Sequence, residues 1–236
     1  MLDPFQKVMK LGKATVPAIG LYGCCSSEIC LLGRDMAHAV PQVKRITGLD
    51  PILCSISGSS LLGIFAVLDG KNILLPQTVL PQEVVFLEQQ GLTCHIIEAK
   101  ETALGNLIAV GQGILASDEL SAVVKKRVRQ ALDKPLRPGL IAGLPQVGQL
   151  AMPLAAPQGS SNSASSFGFV AATISDEELS YAESALGLRL FRVTVNRGVV
   201  HMRSGLLGNA HGLLIGSACT PIEVQQLYDA SLEMTS

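Results

Sequence analysis

Charge is scarce in this chain. Only 16% of its 236 residues are Asp, Glu, Lys or Arg, and the two signs nearly cancel to a formal net charge of −1. Nothing global therefore calls for a nucleic acid or an anionic membrane as partner. Long apolar runs are missing too. None reaches the roughly 18–20 residues of a membrane-spanning helix, and the opening MLDPFQKVMK lacks the apolar core of a signal peptide. Both absences lead us to expect a cytoplasmic protein without a membrane partner. The six cysteines, at 24, 25, 30, 54, 94 and 219, include no Cys-x-x-Cys pair. Four lie in apolar, strand-like runs, so buried free thiols are expected rather than a zinc site or a disulfide frame. A P-loop and metal-ligand spacing are also absent, and the Gly-x-Gly at 111–113 reads as a hairpin turn, not the opening of a dinucleotide helix. No cofactor and no metal are expected.

What is abundant is apolar surface, at 48% of residues, enough for a sizeable core. The clearest stretch is 101–120, ETALGNLIAVGQGILASDEL. Leu107 to Val110 is a short apolar run that suits a strand buried on both faces. Gly111-Gln112-Gly113 breaks it as a hairpin would, and Ile114 to Ala116 is the return strand. Ser117 then offers an N-cap, with Asp118 and Glu119 in the first turn of a helix.

The rest of the chain repeats this unit. Aligned on Gly105, the register glycines are Gly20, Gly63, Gly105, Gly148 and Gly205, at spacings of 43, 42, 43 and 57. The last spacing is long because residues 155–167, AAPQGSSNSASSF, replace a short hairpin turn and read as an extended loop tip. Helical stretches follow each hairpin: Arg34–Ile46 with a break at Pro41, Pro81–Gln90, Asp118–Leu132, Asp176–Leu186 capped by Ser175 and Glu178, and Pro221–Leu232 capped by Thr220. Third strands are expected at Ile52–Ser57, Thr93–Glu98, Leu140–Ala142 and Leu188–Val195. The fifth helix has no strand after it, and the run Gln6–Leu11 has no repeat before it. A ring solves both problems, with the first strand completing the fifth repeat. The expectation is an α/β fold: a closed, five-fold pseudosymmetric α/β propeller of strand-strand-helix-strand repeats. It would be a single domain over 1–236, with repeats near 15–58, 59–100, 101–143, 144–198 and 199–236 and residues 1–14 closing the ring.

TALGNLIAV, ISGSSLLGIFAV, IAGLPQVG, TVNRG and SGLLGNAHGLLIG resemble translation initiation factor 6, the ribosome anti-association factor of archaea and eukaryotes. The short C-terminus is similar to the archaeal form. The resemblance covers residues from about 15 to 232 and implies a pentein-like ring, in agreement with the repeat. It also implies a function without chemistry: a monomer that binds the large ribosomal subunit, at ribosomal protein uL14 and near the sarcin–ricin loop, blocks joining to the small subunit, and accompanies late large-subunit maturation. The same ring resembles guanidine-modifying hydrolases and amidinotransferases, which use a late nucleophilic cysteine and a histidine base. Cys219, with His201 and His211, makes that the rival reading; a scaffold paralogue without ribosome binding is the third.

Candidate contact residues come from two patterns. Asn106, Asn196 and Asn209 lie at what look like matched places near repeat starts, and ring loops of that kind gather on one face. Their structural role would be to tolerate left-handed backbone and bond their own main chain; their functional role would be docking, with Arg197 beside Asn196. Lys125, Lys126, Arg127, Arg129, Lys134 and Arg137 form the basic cluster, of which Lys125 and Arg129 are the candidate phosphate or acidic-protein contacts. A solvated helix face is the simpler alternative. His38 and His95 stand alone, and His95 reads as a satisfied strand histidine.

Overall fold

The structure is a computed structural model that describes residues 8–10, 16–154 and 166–233. Each unit begins with a single helical turn, continues as two antiparallel strands, and returns through an outer helix to a third strand parallel to the second. The N-terminal strand β1 is Val8–Lys10. Unit one has an inner turn at Ile19–Leu21, β2 (Gly23–Cys25), β3 (Cys30–Gly33), α1 (Val40–Thr47) and β4 (Ile52–Cys54). Unit two has α2 (Leu62–Phe65), β5 (Val67–Asp69), β6 (Asn72–Pro76), α3 (Pro81–Gln89) and β7 (Thr93–Ile97). Unit three has α4 (Leu104–Leu107), β8 (Ile108–Val110), β9 (Ile114–Ser117), α5 (Ala122–Leu132) and β10 (Leu136–Gly139). Unit four has α6 (Val147–Leu150), β11 (Ala151–Leu154), β12 (Phe167–Ala171), α7 (Asp176–Leu186) and β13 (Arg189–Val193). Unit five has an inner turn at Met202–Gly205, β14 (Leu206–Asn209), β15 (Gly212–Ile215) and α8 (Pro221–Glu233). Its third strand is β1, which pairs in parallel with β15 in the register Val8 to Leu213.

The middle strands explain the unbroken apolar runs. Their side chains alternate between two neighbouring cores, so both faces are buried. In β3, Leu31 packs between units one and two, while Cys30 and Leu32 pack between units five and one. In β9, Leu115 faces the core shared with unit four, and Ile114 and Ala116 face the core shared with unit two. Five clusters result, each lying between neighbouring units, and the fifth joins Leu207 and Leu214 to Ile19 and Val43. Among the described residues no unit has a core cluster of its own, so the units should fold together.

Several expected boundaries move. Pro41 does not break a helix; it sits in the first turn of α1, after a 3₁₀ stretch at Arg34–Ala39. Helix α5 starts at Ala122 rather than Asp118. Ser121 is its cap, accepting from the Val124 amide, and Ser117 is the last residue of β9. The third strand of unit three is Leu136–Gly139, not Leu140–Ala142. It carries Pro138 because β10 is the outer edge of its sheet, where a missing N–H costs no ladder bond. Of the insertion expected at 155–167, residues 155–165 lie outside the described residues, and Phe167 is not loop but the first residue of β12, paired with Leu154.

The inner turns explain the register glycines. A Cβ on Gly63 would lie 2.1 Å from the Gly20 carbonyl oxygen, and one on Gly105 would lie 2.2 Å from that of Gly63. Glycine is therefore required by close backbone approach around the axis. The corresponding contact of Gly20 is the carbonyl of Arg203, not of Gly205. The fifth register position is Arg203, and Gly205 packs elsewhere, against Val195 and Asn196.

Candidate functional site

The topology gives the ring two unlike ends. Inner turns, outer-helix N-termini and the loops that join units gather at one end. Hairpin turns and helix C-termini gather at the other.

The joining end is built from a recurring device. Three loops enter the next unit through narrow antiparallel bridges, Ile56 to Ser59, Ile141 to Leu144 and Val195 to Val199. All three turn through left-handed backbone, at Ser57 and Gly58, at Ala142 and Gly143, and at Asn196, Arg197 and Gly198. In each case a glutamate at the third position of the following outer helix holds the turn. Glu83 accepts from the amides of Ser57 at 2.7 Å, Gly58 at 3.0 Å and Leu80 at 3.0 Å. Glu178 accepts from the amides of Gly143 at 2.8 Å and Ser175 at 3.1 Å. Glu223 accepts from the amides of Arg197 at 3.1 Å, Gly198 at 2.8 Å and Thr220 at 2.8 Å, and from the Thr194 hydroxyl at 3.0 Å. Burial raises these carboxyl pKa values, but the donated hydrogen bonds outweigh it. All three are held below the ordinary carboxylate range, Glu223 at about 2. Glu83 and Glu223 were not singled out from sequence. The available signal was Thr220-x-x-Glu223, the same capping box as Ser175-x-x-Glu178.

The candidate asparagines occupy three different positions, not matched ones. Asn106 follows the register glycine of unit three, and its Oδ1 accepts from Gln149 Nε2 at 2.8 Å, linking units three and four at the joining end. Asn196 is in the joining loop with φ of 51°, and its Nδ2 donates to the Pro17 carbonyl at 2.6 Å, tying unit five to unit one. Arg197 beside it is exposed. Asn209 lies at the opposite end, in the β14–β15 hairpin. It is 4% exposed, donates to the Thr47 carbonyl at 3.1 Å and accepts from the His211 amide at 3.0 Å. Asn106, Asn196 and Arg197 thus share a face, and Asn209 does not belong to it.

The basic cluster is largely occupied. Lys125 donates to the Asp118 carbonyl at 2.8 Å, and Arg127 pairs with Glu98 at 2.8 Å. Arg137 donates to Ser184, and Lys134 is half-buried against Asp69 at 2.6 Å, where it also meets the Gly111 carbonyl. Lys126 and Arg129 remain exposed on α5.

Cys219 is 2% exposed and packs with Leu213, Ile215 and Leu227. Its sulfur accepts from the Asn196 amide at 3.3 Å, and burial pushes its pKa up. His201 and His211 are both exposed, and among the described residues neither hydrogen-bonds Cys219. A thiol so placed has neither a base to ionise it nor an open face for a substrate. His95 is bonded to Asn72 at 3.0 Å across adjacent strands. The six cysteines are all free thiols. Among the described residues no cluster of three or more metal-ligating side chains occurs, and no helix is long and apolar enough to cross a membrane.

A sequence profile described as the eIF-6 family matches residues 8–230. Translation initiation factor 6 of Pyrobaculum arsenaticum is 30% identical over 84% of this chain and 87% of its own length. Those of Sulfolobus acidocaldarius and Methanocaldococcus jannaschii are each 29% identical, covering 90% and 91% of this chain and 93% of their own lengths. Among solved structures, DDAH from Pseudomonas aeruginosa, a cysteine-to-serine variant complexed with citrulline, superposes with a TM-score of 0.50. It is 14% identical and covers 75% of this chain and 68% of its own. That likeness is one of fold: an α/β ring of three-stranded sheets.

Proposed function

The chain belongs to the eIF-6 family, and from that premise we propose that it is a translation factor that binds the large ribosomal subunit and keeps the small subunit from joining it. The carrying observation is the match over residues 8–230, which spans all five units and the closing strand. Blocking an encounter needs a rigid body on a partner surface and no chemical step. Five cores shared between units supply the rigidity, and the glutamate-held loops present a preformed face with little ordering left to do on binding.

The docking face in this proposal is the joining end, with Asn106 and Arg197 toward the large subunit; the exposed Lys126 lies along the flank of α5, and Arg129, in its last turn, falls toward the opposite end. Asn196 acts from beneath, by holding the Arg197 loop in its turn. Ribosomal protein uL14 and the sarcin–ricin loop region are the proposed partners, in the cytoplasm, with the factor as a monomer and a second role in large-subunit maturation. The enzyme alternative lacks support in the surroundings of Cys219, which is buried, has its pKa pushed up, and among the described residues is hydrogen-bonded by no histidine.

Co-sedimentation with purified large subunits at low salt tests the proposal. The protein should pellet with large and not with small subunits, and charge reversal at Arg197 should weaken binding most at low salt. Absence from the large-subunit pellet would refute it. Release of ammonia, citrulline or amine from arginine, methylarginines or agmatine, abolished by Cys219→Ser, would establish the enzyme reading instead.

A further inference from the structure

Four of the five inner turns place a glycine at the axis, and the fifth places Arg203. Its side chain reaches across the ring. Nη1 donates to the carbonyl of Gly148 in the neighbouring unit four at 3.4 Å and to that of Gly105, two units away in unit three, at 3.1 Å. Beside it the inner strands β2, β5, β8, β11 and β14 enclose a channel of about 50 Å³. At roughly 10–15 Å³ per water on this measure, about three to five water-sized groups fit. Each inner strand is the edge of its sheet, so one side of it carries backbone groups not used in pairing.

The charge of Arg203 is unbalanced. Both Nη1 protons have acceptors, but among the described residues Nε and Nη2 have none. Those two nitrogens form the side-on fork that matches two oxygens of an oxyanion. The ionisable groups beside the guanidinium are the Cys24 and Cys25 thiols, and no carboxylate among the described residues acts on it. Burial pushes Cys24 up to about 12 and Cys25 well above its ordinary value, so both are neutral thiols near pH 7. Burial also pulls the guanidinium down, but arginine starts so far above neutrality that it stays charged. Arg203 is half-buried and lines the channel, and neither of its unpaired nitrogens is sealed off, so both can meet an anion that enters there.

We propose that the axial channel binds one small inorganic oxyanion, of phosphate or sulfate size, on the Nε–Nη2 fork of Arg203. The ligand neutralises the guanidinium and bridges it to the inner strands, so it stiffens the ring at its axis. The site uses none of the docking residues.

The full chain, dialysed free of multivalent anions, is titrated calorimetrically with sodium phosphate and with sodium sulfate at constant ionic strength. One saturable equivalent is expected, at least ten-fold weaker in Arg203→Met. Arg203→Lys keeps a cation but loses the fork, and should bind in between. No saturable binding to the wild type, or undiminished binding to Arg203→Met, overturns the proposal. Should Arg203→Met fail to fold, wild-type crystals soaked in selenate decide the matter. An anomalous peak in contact with the Arg203 guanidinium supports the site, and its absence at saturating selenate overturns it.

Discussion

Replacing Glu223 by glutamine should cost this ring about 3 kcal/mol at pH 7, and the pH at which the cost disappears can be stated. Glu223 is 4% exposed and collects five donors: the amides of Arg197, Gly198 and Thr220, and the hydroxyls of Thr194 and Thr220. Its pKa falls from 4.5 to about 2. A depression of that size corresponds to about 3 kcal/mol of preference for the ionised form in the folded state. The sign follows from linkage. The folded pKa lies below the unfolded one, so the contribution is complete above about pH 4.5 and is lost as pH falls toward 2. Glutamine keeps one acceptor oxygen but turns an N–H toward amide donors, leaving at least two of them without a partner. For a chain of this length the melting temperature should drop by about 6–12 °C. The assay is thermal unfolding of wild type and Glu223→Gln at several pH values between 7 and 2.5. The two curves should converge as pH approaches 2, because protonated Glu223 resembles glutamine. A variant as stable as wild type at pH 7, or a gap that persists unchanged at pH 2.5, would refute the reasoning.

Three more outcomes can be measured. Gly105→Ala places a Cβ 2.2 Å from the Gly63 carbonyl oxygen, so it should prevent folding or lower the melting temperature by more than 10 °C, read by circular dichroism. Lys134→Ala leaves Asp69 half-buried and unpaired and should cost roughly 2–4 kcal/mol in urea unfolding, whereas Lys126→Ala, exposed on α5, should cost less than about 0.5 kcal/mol. With Cys24 and Cys54 pushed to about 12 and Cys94 to about 11, these thiols should resist an aromatic disulfide reagent at pH 8 in the native state and react fully in denaturant.

The periodic part of this fold is legible because it comes from close packing. The apolar run Leu107 to Val110 marks a strand that feeds two cores, though the strand begins at Ile108 and Leu107 closes the inner turn α4, and Gly20, Gly63, Gly105 and Gly148 mark backbone contacts that exclude a Cβ. The fifth mark is misplaced by two residues because Arg203 takes the glycine position while Gly205 supplies the expected letter. Boundaries fail where two readings compete locally. Ser117 and Ser121 can each cap a helix, and Leu120, buried in the core between units two and three, decides for Ser121. Pro138 argues against a strand until β10 is known to be an edge. The docking face was the least legible part. Which asparagines share an end of the ring depends on where each falls in the strand-turn-strand path, and that path separates Asn209 from Asn106 and Asn196. The glutamate clamps act between segments 25 to 35 residues apart, as Gly198 to Glu223 and Gly143 to Glu178 show, and local pattern reveals only their helix-capping half.

We propose that this ring keeps ribosomal subunits apart. The most direct measurement is a gradient profile of purified large and small subunits mixed under joining conditions, with the protein added first in rising amounts. The joined-ribosome peak should fall as the protein approaches one equivalent of large subunit, with the protein travelling in the large-subunit peak. An undiminished joined-ribosome peak at several equivalents of protein would contradict the claim.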